Sequence, residues 1–197
     1  MTTETERHPR ADAARNAQRI VQAARAAFAD DGPDVHLEEI ARRAKVGIRT
    51  LYRHFPAKSD LVRAAIDQSF AEHLTPAIEQ ALTDDDALRG FTTLIEAGVF
   101  TVARERNTLA AARTTGSPTA DLSAAFFTAL AALARRAQQA GTLRADVGAN
   151  DLPKIMAMLV GALWSTDPDT EDWRRYLALL LDGLSPAAVR ALPETGR

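Results

Sequence analysis

His36-Leu-Glu-Glu-Ile-Ala-Arg-Arg-Ala-Lys-Val-Gly-Ile-Arg-Thr-Leu-Tyr-Arg-His-Phe-Pro-Ala-Lys58 is the stretch whose reading decides the fold. Two short apolar periodicities flank Lys45-Val46-Gly47. The first puts Leu37, Ile40, Ala41 and Ala44 on one helical face. The second puts Leu51 and Phe55 on one face and leaves Arg49, Thr50, Tyr52, Arg53 and His54 on the other. The spacing predicts a helix over 37–44, a tight turn, and a helix over 48–55 ended by Pro56, with Val46 plugging the space between the two helices. A helix with such an outer face suits the phosphate-lined major groove of DNA.

Upstream, Ala17, Ile20, Ala24, Ala27 and Phe28 recur at helical spacing. They predict a helix from about Asp12 to Asp31, stopped by Asp31-Gly32-Pro33. Residues 1–10 are polar, and His8-Pro9 is expected to interrupt any helix there and leave a flexible arm. Downstream, Ser59 or a neighbour is expected to cap a helix carrying Leu61, Ala65 and Phe70, with Pro76 as a kink or break. Asp84-Asp85-Asp86 supplies negative charge at the start of a helix over about 85–104, and Glu105–Thr114 reads as a short separate helix. Ser117-Pro118 opens a helix ending near Ala140 at Gly141, and Asn150 or Asp151 opens another through Leu163. Asp167-Pro168 opens one reaching Gly183, and Ser185-Pro186 a last short one. No segment reads as a strand. The expected fold is all-α, with a three-helix helix-turn-helix domain at 1–60 and a larger helical domain at 61–197.

Composition narrows the function classes. A chain of 197 residues, 46% hydrophobic and 25% charged, is of ordinary globular make-up, and no run approaches ~18 uninterrupted apolar residues. The polar, acid-containing N-terminus lacks a signal-peptide core. Without cysteine there is no disulfide framework and no thiolate metal site. These features agree with a cytoplasmic protein without a membrane partner. The net charge is −2, but its distribution is uneven: residues 1–60 hold 11 Lys+Arg against 9 Asp+Glu, and residues 36–55 alone hold 5 against 2. Positive charge thus concentrates on the two-helix unit, although a charge cluster is by itself most often a solvated face.

Ile40-Ala41 through Val46, then Thr50-Leu-Tyr-Arg-His-Phe55 and Lys58, resemble the DNA-binding region of the tetracycline-repressor (TetR) family, and the match extends over residues 15–62. From the residues, Arg49 at the start of the third helix is placed to reach guanine O6 and N7, and Thr50 to donate to a phosphate or pack its methyl on thymine. The resemblance implies that Tyr52 and His54 touch the backbone or nearby bases. It also implies that Lys58 meets a phosphate at the start of the fourth helix, where the helix dipole favours an anion. His36 is expected to face the other phosphate strand. Lys45, Ile48 and Arg53 complete the expected contact set. Arg42 and Arg43 are read as solvated.

Each assignment has a plainer rival: a solvated arginine at 49, a half-buried supporting aromatic at 52, a core-packing histidine at 54. Two positions depart from the family pattern. Lys45 stands where glycine is common, so a positive φ there would strain it. Gly47 stands where serine or threonine usually caps the third helix. Arg49 takes a position that is often small in relatives, so its base target does not transfer.

One recognition helix covers few base pairs, whereas two about 34 Å apart on a two-fold axis fit successive major grooves of a palindromic operator. The helix at 151–165 is apolar nearly all round, and with 168–183 it corresponds to the family's dimer-forming pair. Leu152, Ile155, Leu159, Leu163, Trp173, Tyr176, Leu177 and Leu180 are the expected homodimer contacts, the rival being that these helices are interior to one subunit. The resemblance also implies a small-molecule effector in the second domain, whose binding swings the fourth helix. Phe91, Ile95, Phe100, Phe126, Phe127, Leu130, Met156 and Trp164 are candidates to line its pocket, with Arg113 and His73 to orient a polar group. The same apolar residues would serve equally as ordinary core.

The function expected is a sequence-specific DNA-binding regulator, a repressor released by a small hydrophobic ligand. The alternative is a ligand-binding or interaction module of the same fold without operator recognition. An enzyme is not expected: there is no glycine-rich phosphate loop, no His-Glu-x-x-His and no nucleophile elbow. No cofactor is expected, and the histidines at 8, 36, 54 and 73 lack metal-ligand spacing.

Overall fold

The computed structural model describes residues 7–117, 120–165, 173–187, 190 and 192–193. Among them the chain is all-α: α1 (Arg7–Asp31), α2 (Leu37–Arg43), α3 (Ile48–His54), α4 (Lys58–Thr83), α5 (Ala87–Arg104), α6 (Arg106–Thr115), α7 (Ala120–Gln139), α8 (Leu152–Ser165) and α9 (Trp173–Gly183). They gather into two compact units, one of Met1–Ser69 with Glu105–Thr119, the other of Phe70–Arg104 with Ala120–Arg197. The domain boundary expected at 60/61 is not the boundary between these units. The units differ from it because α4 contributes to both and α6 returns to the first.

In the first unit, Ile20, Ala24, Ala27 and Phe28 of α1, Ile40 and Ala41 of α2, Leu51 of α3 and Leu61, Ala65 and Ile66 of α4 form the interior. Contrary to the expected break at His8-Pro9, α1 begins at Arg7. Pro9 falls in its first turn, where the N–H it lacks would have had no intrahelical partner. Residues 1–6 of the expected arm lie outside the described ones. At the start of α4 the Ala57 N–H donates to Asp60 Oδ2 at 3.0 Å, so a carboxylate three residues on closes the end, and Ser59 does not.

The turn between α2 and α3 is fixed by a left-handed C-terminal cap. Lys45 N–H bonds Arg42 O at 3.1 Å and Val46 N–H bonds Ala41 O at 3.0 Å, which requires a positive φ at Lys45. Its φ is 54°, the one positive value at a non-glycine among the described residues. The comparable ends of α6 and α7 use Gly116 (φ 67°) and Gly141 (φ 71°). Gly47 precedes α3 in extended conformation, and Thr50 N–H bonds its carbonyl at 2.8 Å.

Two polar clusters hold the first unit together. Arg43 pairs with Asp30 (2.7 Å) and Asp31 (2.7 Å) at the end of α1 and with Glu39 (2.9 Å) in α2. Glu39 also accepts from Arg42 at 2.8 and 2.6 Å. The second cluster surrounds Glu105, which is 4% exposed. Its carboxylate accepts from Arg25 of α1 (3.1 Å), Ser69 of α4 (2.7 Å) and Thr108 of α6 (2.9 Å). A buried carboxylate is tolerable only when so compensated. It thereby ties three helices to one another.

In the second unit α5 packs on α7 and α8, and α8 on α9. The interior holds Phe91, Leu94 and Ile95, Leu130 and Leu133, Leu152 and Leu159, and Trp173 with Leu177. The helix α4 continues through Pro76 without a break. Pro76 is exposed while Leu74 and Ala81 on either side are buried, so packing outweighs one missing hydrogen bond. The helix expected from about 85 starts at Ala87, because Asp86 is its cap: Oδ1 accepts from the N–H groups of Leu88 and Arg89, both at 3.0 Å. Asp151 opens α8, its carbonyl accepting Ile155 N–H at 2.8 Å. The Ser117 hydroxyl donates to Ser59 O at 3.1 Å. Ser185-Pro186 lies in a turn rather than a helix, and Pro118 and Asp167-Pro168 fall outside the described residues.

Two expectations about stability follow from these contacts. Relief of left-handed strain at Lys45 is worth ~1–2 kcal/mol, offset by ~0.5–1 kcal/mol for the freedom glycine adds to the unfolded chain. Lys45→Gly therefore stabilises by roughly 0.5–1 kcal/mol, a rise of about 2–4 °C per kcal/mol in thermal melting. An unchanged or lowered midpoint would refute the strain. The hydrogen bonds from Arg42 and then Arg43 hold the Glu39 carboxyl down at about 2, against its ordinary 4.5. A carboxyl lowered by folding stabilises above its unfolded value and ceases to do so as the pH falls toward its folded one. Circular dichroism melts should show stability declining between pH 4.5 and 2. Glu39→Gln should be less stable near neutrality and decline less across that window.

Candidate nucleic-acid interface and apolar pocket

Leu51 is fully buried, which turns the opposite side of α3 outward. Arg49, Tyr52 and Arg53, three and four residues apart, lie on that side, and Ile48 and Tyr52 are 36% and 47% exposed. Lys45 and His36 are exposed as well. Among the described residues no carboxylate pairs with Lys45, Arg49 or Arg53. Arg42 and Arg43, by contrast, are neutralised by Glu39, Asp30 and Asp31 rather than simply solvated. Among the basic residues of α2, the turn and α3, those left to attract a polyanion are thus Lys45, Arg49 and Arg53. Guanidinium groups there can give paired donors to a base edge or a phosphate, and the Tyr52 hydroxyl can give one more.

Three residues expected in this set sit differently. Thr50 is half-buried. His54 is half-buried with its Nε2 enclosed and without a hydrogen-bond partner, its ring 6.5 Å from that of Phe55. Lys58 already has partners within the chain. Its Nζ donates to Pro33 O at 3.2 Å and Val35 O at 2.9 Å, and stands 5.8 Å from the centre of the Phe28 ring. The α1–α2 loop leaves those carbonyls without helical partners, and the lysine satisfies them, tying the loop to α4. Phe55, expected in the core, is half-buried.

The second unit contains a pocket of about 250 Å³ with an almost wholly apolar lining. Of the residues expected to line it, Phe126, Phe127 and Met156 do so. Phe91, Ile95 and Leu130 are fully buried in the interior instead, and Phe100 is 55% exposed. Trp164 is half-buried away from the lining, and neither Arg113 nor His73 belongs to it. Sequence reading missed the contributions of α4 (Phe70, Leu74), α5 (Gly98, Val102) and α8 (Pro153, Ala157, Val160). The Phe70/Leu74 spacing was a usable signal. Gly98 was not, because a missing side chain reads as nothing until a neighbour is seen to fill its place.

The dimer contacts expected on α8 and α9 also need correction. Leu152, Ile155, Leu159, Leu163, Trp173 and Leu177 are each at most 8% exposed within the chain's own core. Tyr176 is 44% exposed and Leu180 half-buried. The outward apolar residues of these helices are Met158 (62%) and Leu179 (59%), with Ala157 and Gly161 also exposed. A helix apolar all round has two sides to fill, and the strongly apolar one went inward.

No group of His, Asp or Glu suited to a metal ion occurs among the described residues, and none of their helices is long and apolar enough to cross a membrane.

Residues 20–65 match the family model described as bacterial regulatory proteins, tetR family, and residues 86–186 match the C-terminal domain of SbtR-like transcriptional regulators. No curated protein matches the chain. Among solved structures, a TetR transcription regulatory protein from Mycobacterium vanbaalenii is 30% identical over 89% of this chain and 98% of its own, with a TM-score of 0.61. A TetR transcriptional regulator from Streptomyces coelicolor is 29% identical over 87% and 99%, with a TM-score of 0.62. The TetR-like regulator LfrR from Mycobacterium smegmatis, in complex with proflavine, is 20% identical over 90% and 98%, with a TM-score of 0.58. A matched helix-turn-helix, a second matched domain covering more than half of the chain and an exposed basic face on α3 lead to one conclusion: the chain belongs to the TetR family of DNA-binding transcriptional regulators.

Proposed function

We propose that the chain is a repressor that holds a palindromic operator as a homodimer and leaves it when a small hydrophobic ligand enters the pocket of the second unit. Residues 1–60 read DNA, and residues 61–197 bind the effector and pair the subunits. The observation that carries the reading is the outer face of α3, where Arg49, Tyr52 and Arg53 are exposed and no described carboxylate pairs with the arginines. Attachment comes from exchange of condensed counterions for these cations, and sequence preference from Arg49 at the N-terminal end of α3. Lys58 is assigned to holding the α1–α2 loop and not to phosphate. A protein acting on the chromosome works in the cytoplasm.

The pocket supports the effector half of the proposal, as does the relative of the same fold that carries proflavine. A ligand releases DNA only to the extent that it binds the released conformation more tightly. Pairing through the outward residues of α8 and α9 supplies the two-fold axis that a palindrome requires. Met158 and Leu179 are large apolar side chains left in water by a single chain.

Selection of bound fragments from a random oligonucleotide pool should yield an inverted repeat with half-sites about one or more helical turns apart. Arg53→Ala should weaken binding to all sequences and reduce the salt slope by about 1, while Arg49→Ala should relax preference at one base position and cost roughly 1–3 kcal/mol. Recovery of no motif, with salt slopes unaffected by either change, would count against operator recognition. In sedimentation, Met158→Glu combined with Leu179→Glu should convert dimer to monomer and remove cooperative binding to the repeat. A double variant that stays dimeric would place the interface elsewhere.

A further inference from the structure

Resting on the reading of the apolar pocket as the effector site, we infer that its ligand is an uncharged compound of one or two rings, and that Gly98 sets the size it accepts. Three observations converge on this.

The first is the chemistry of the wall. Every lining side chain is a hydrocarbon or the thioether of Met156, and no hydroxyl, amide or charged group is among them. The two polar residues that sequence reading offered as anchors, His73 and Arg113, are not part of it. An anion moved from water into such a wall loses its hydration and gains no partner, and a cation gains only the faces of Phe70, Phe126 and Phe127, which repay part of that loss, so the pocket discriminates against charge, most strongly negative charge. It needs no hydrogen bond from its ligand and rewards only apolar area.

The second is volume. A dry apolar cavity of about 150 Å³ accommodates benzene. At about 250 Å³ this pocket has room for one ring with substituents or two fused rings. A long-chain acyl group or a large polycycle would have to extend out of its mouth.

The third is the packing of α5 against α7 and α8. A Cβ placed on Gly98 would lie 2.8 and 2.9 Å from Cζ and Cε2 of Phe126 and 3.2 Å from Cε of Met156. Both partners line the pocket. The Phe126 ring therefore rests directly on the α5 backbone, braced edge-on by Phe127 at 5.2 Å. Any side chain at residue 98 pushes this ring and the Met156 methyl off the helix and into the ligand's space. Gly98 touches the pocket and fixes how far its wall retreats, which makes it a specificity-determining residue.

The test uses the full chain with methyl-labelled methionine. Met156 reports the pocket, and Met158, 62% exposed two positions on, is the internal control. Naphthalene, naphthoate and naphthylmethylammonium are titrated in turn. Naphthalene should shift the Met156 methyl and not that of Met158, and should bind on the order of tenfold or more tighter than either ion. If an ion moves Met156 and binds as tightly as the hydrocarbon, the inference is overturned while the pocket remains an effector site. If none of the three moves Met156, the effector-site reading itself falls and the inference with it.

Gly98→Ala should lose naphthalene affinity by on the order of tenfold while keeping benzene within about twofold. Adding Phe126→Leu should restore naphthalene. Equal naphthalene affinity in Gly98→Ala and the unaltered protein would overturn the role of Gly98. The charge series is read on the unaltered protein and does not depend on how well either variant folds.

Discussion

Burial of one side chain, Leu51, sets what this molecule can present to a nucleic acid. A seven-residue helix has little stability of its own, and α3 has no side-chain cap. It is held because Leu51 is enclosed by the interior of the first unit. That enclosure also fixes the rotation of the helix, and rotation decides which residues face out. Arg49, Tyr52 and Arg53 are external because Leu51 is internal. The tight turn before α3 serves the same end: Lys45 is kept in a left-handed conformation so that α2 can close its last carbonyls and the chain can reverse toward Gly47.

Charge in the first unit is sorted by the same economy of positions. Asp30 and Asp31 at the end of α1 and Glu39 in α2 are taken up by Arg42 and Arg43, which removes them as competitors for the cations of α3. Lys58 is taken up by backbone carbonyls of the α1–α2 loop. The residues that look most basic in the sequence thus divide into those that assemble the unit and those left over to attract a partner. A count of lysines and arginines does not distinguish them, whereas the hydrogen-bond partners do.

Glu105 marks where the two units are continuous along the chain. It follows the last residue of α5, and Val102, three positions earlier, lines the pocket. Ser69, which donates to its carboxylate, precedes Phe70, which lines the pocket as well. The chain segments that leave the pocket wall through α4 and α5 therefore pass within a few residues of the one buried carboxylate that joins α1, α4 and α6 among the described residues. Ion pairs of this kind contribute little net stability, but removal of one partner leaves the others buried without compensation.

The sequence by itself determined the helical class, most of the element boundaries and the outward basic face of α3, because these depend on local periodicity, caps and breakers that neighbours a few residues apart already encode. The family resemblance singled out Lys45, which stands where glycine is common, and its φ of 54° is the positive value that would strain it. Tertiary structure alone decided three matters. It turned the Lys58 ammonium inward, since the carbonyls of Pro33 and Val35 are more than twenty residues away in the chain. It chose which side of α8 and α9 faces the core, because a helix apolar on all sides does not specify its own rotation. And it separated pocket from interior, leaving Phe91 and Leu130 packed while Phe126 and Met156 border open space across Gly98. A cavity is a property of how helices distant in sequence fail to fill the volume between them, and no single helix carries it.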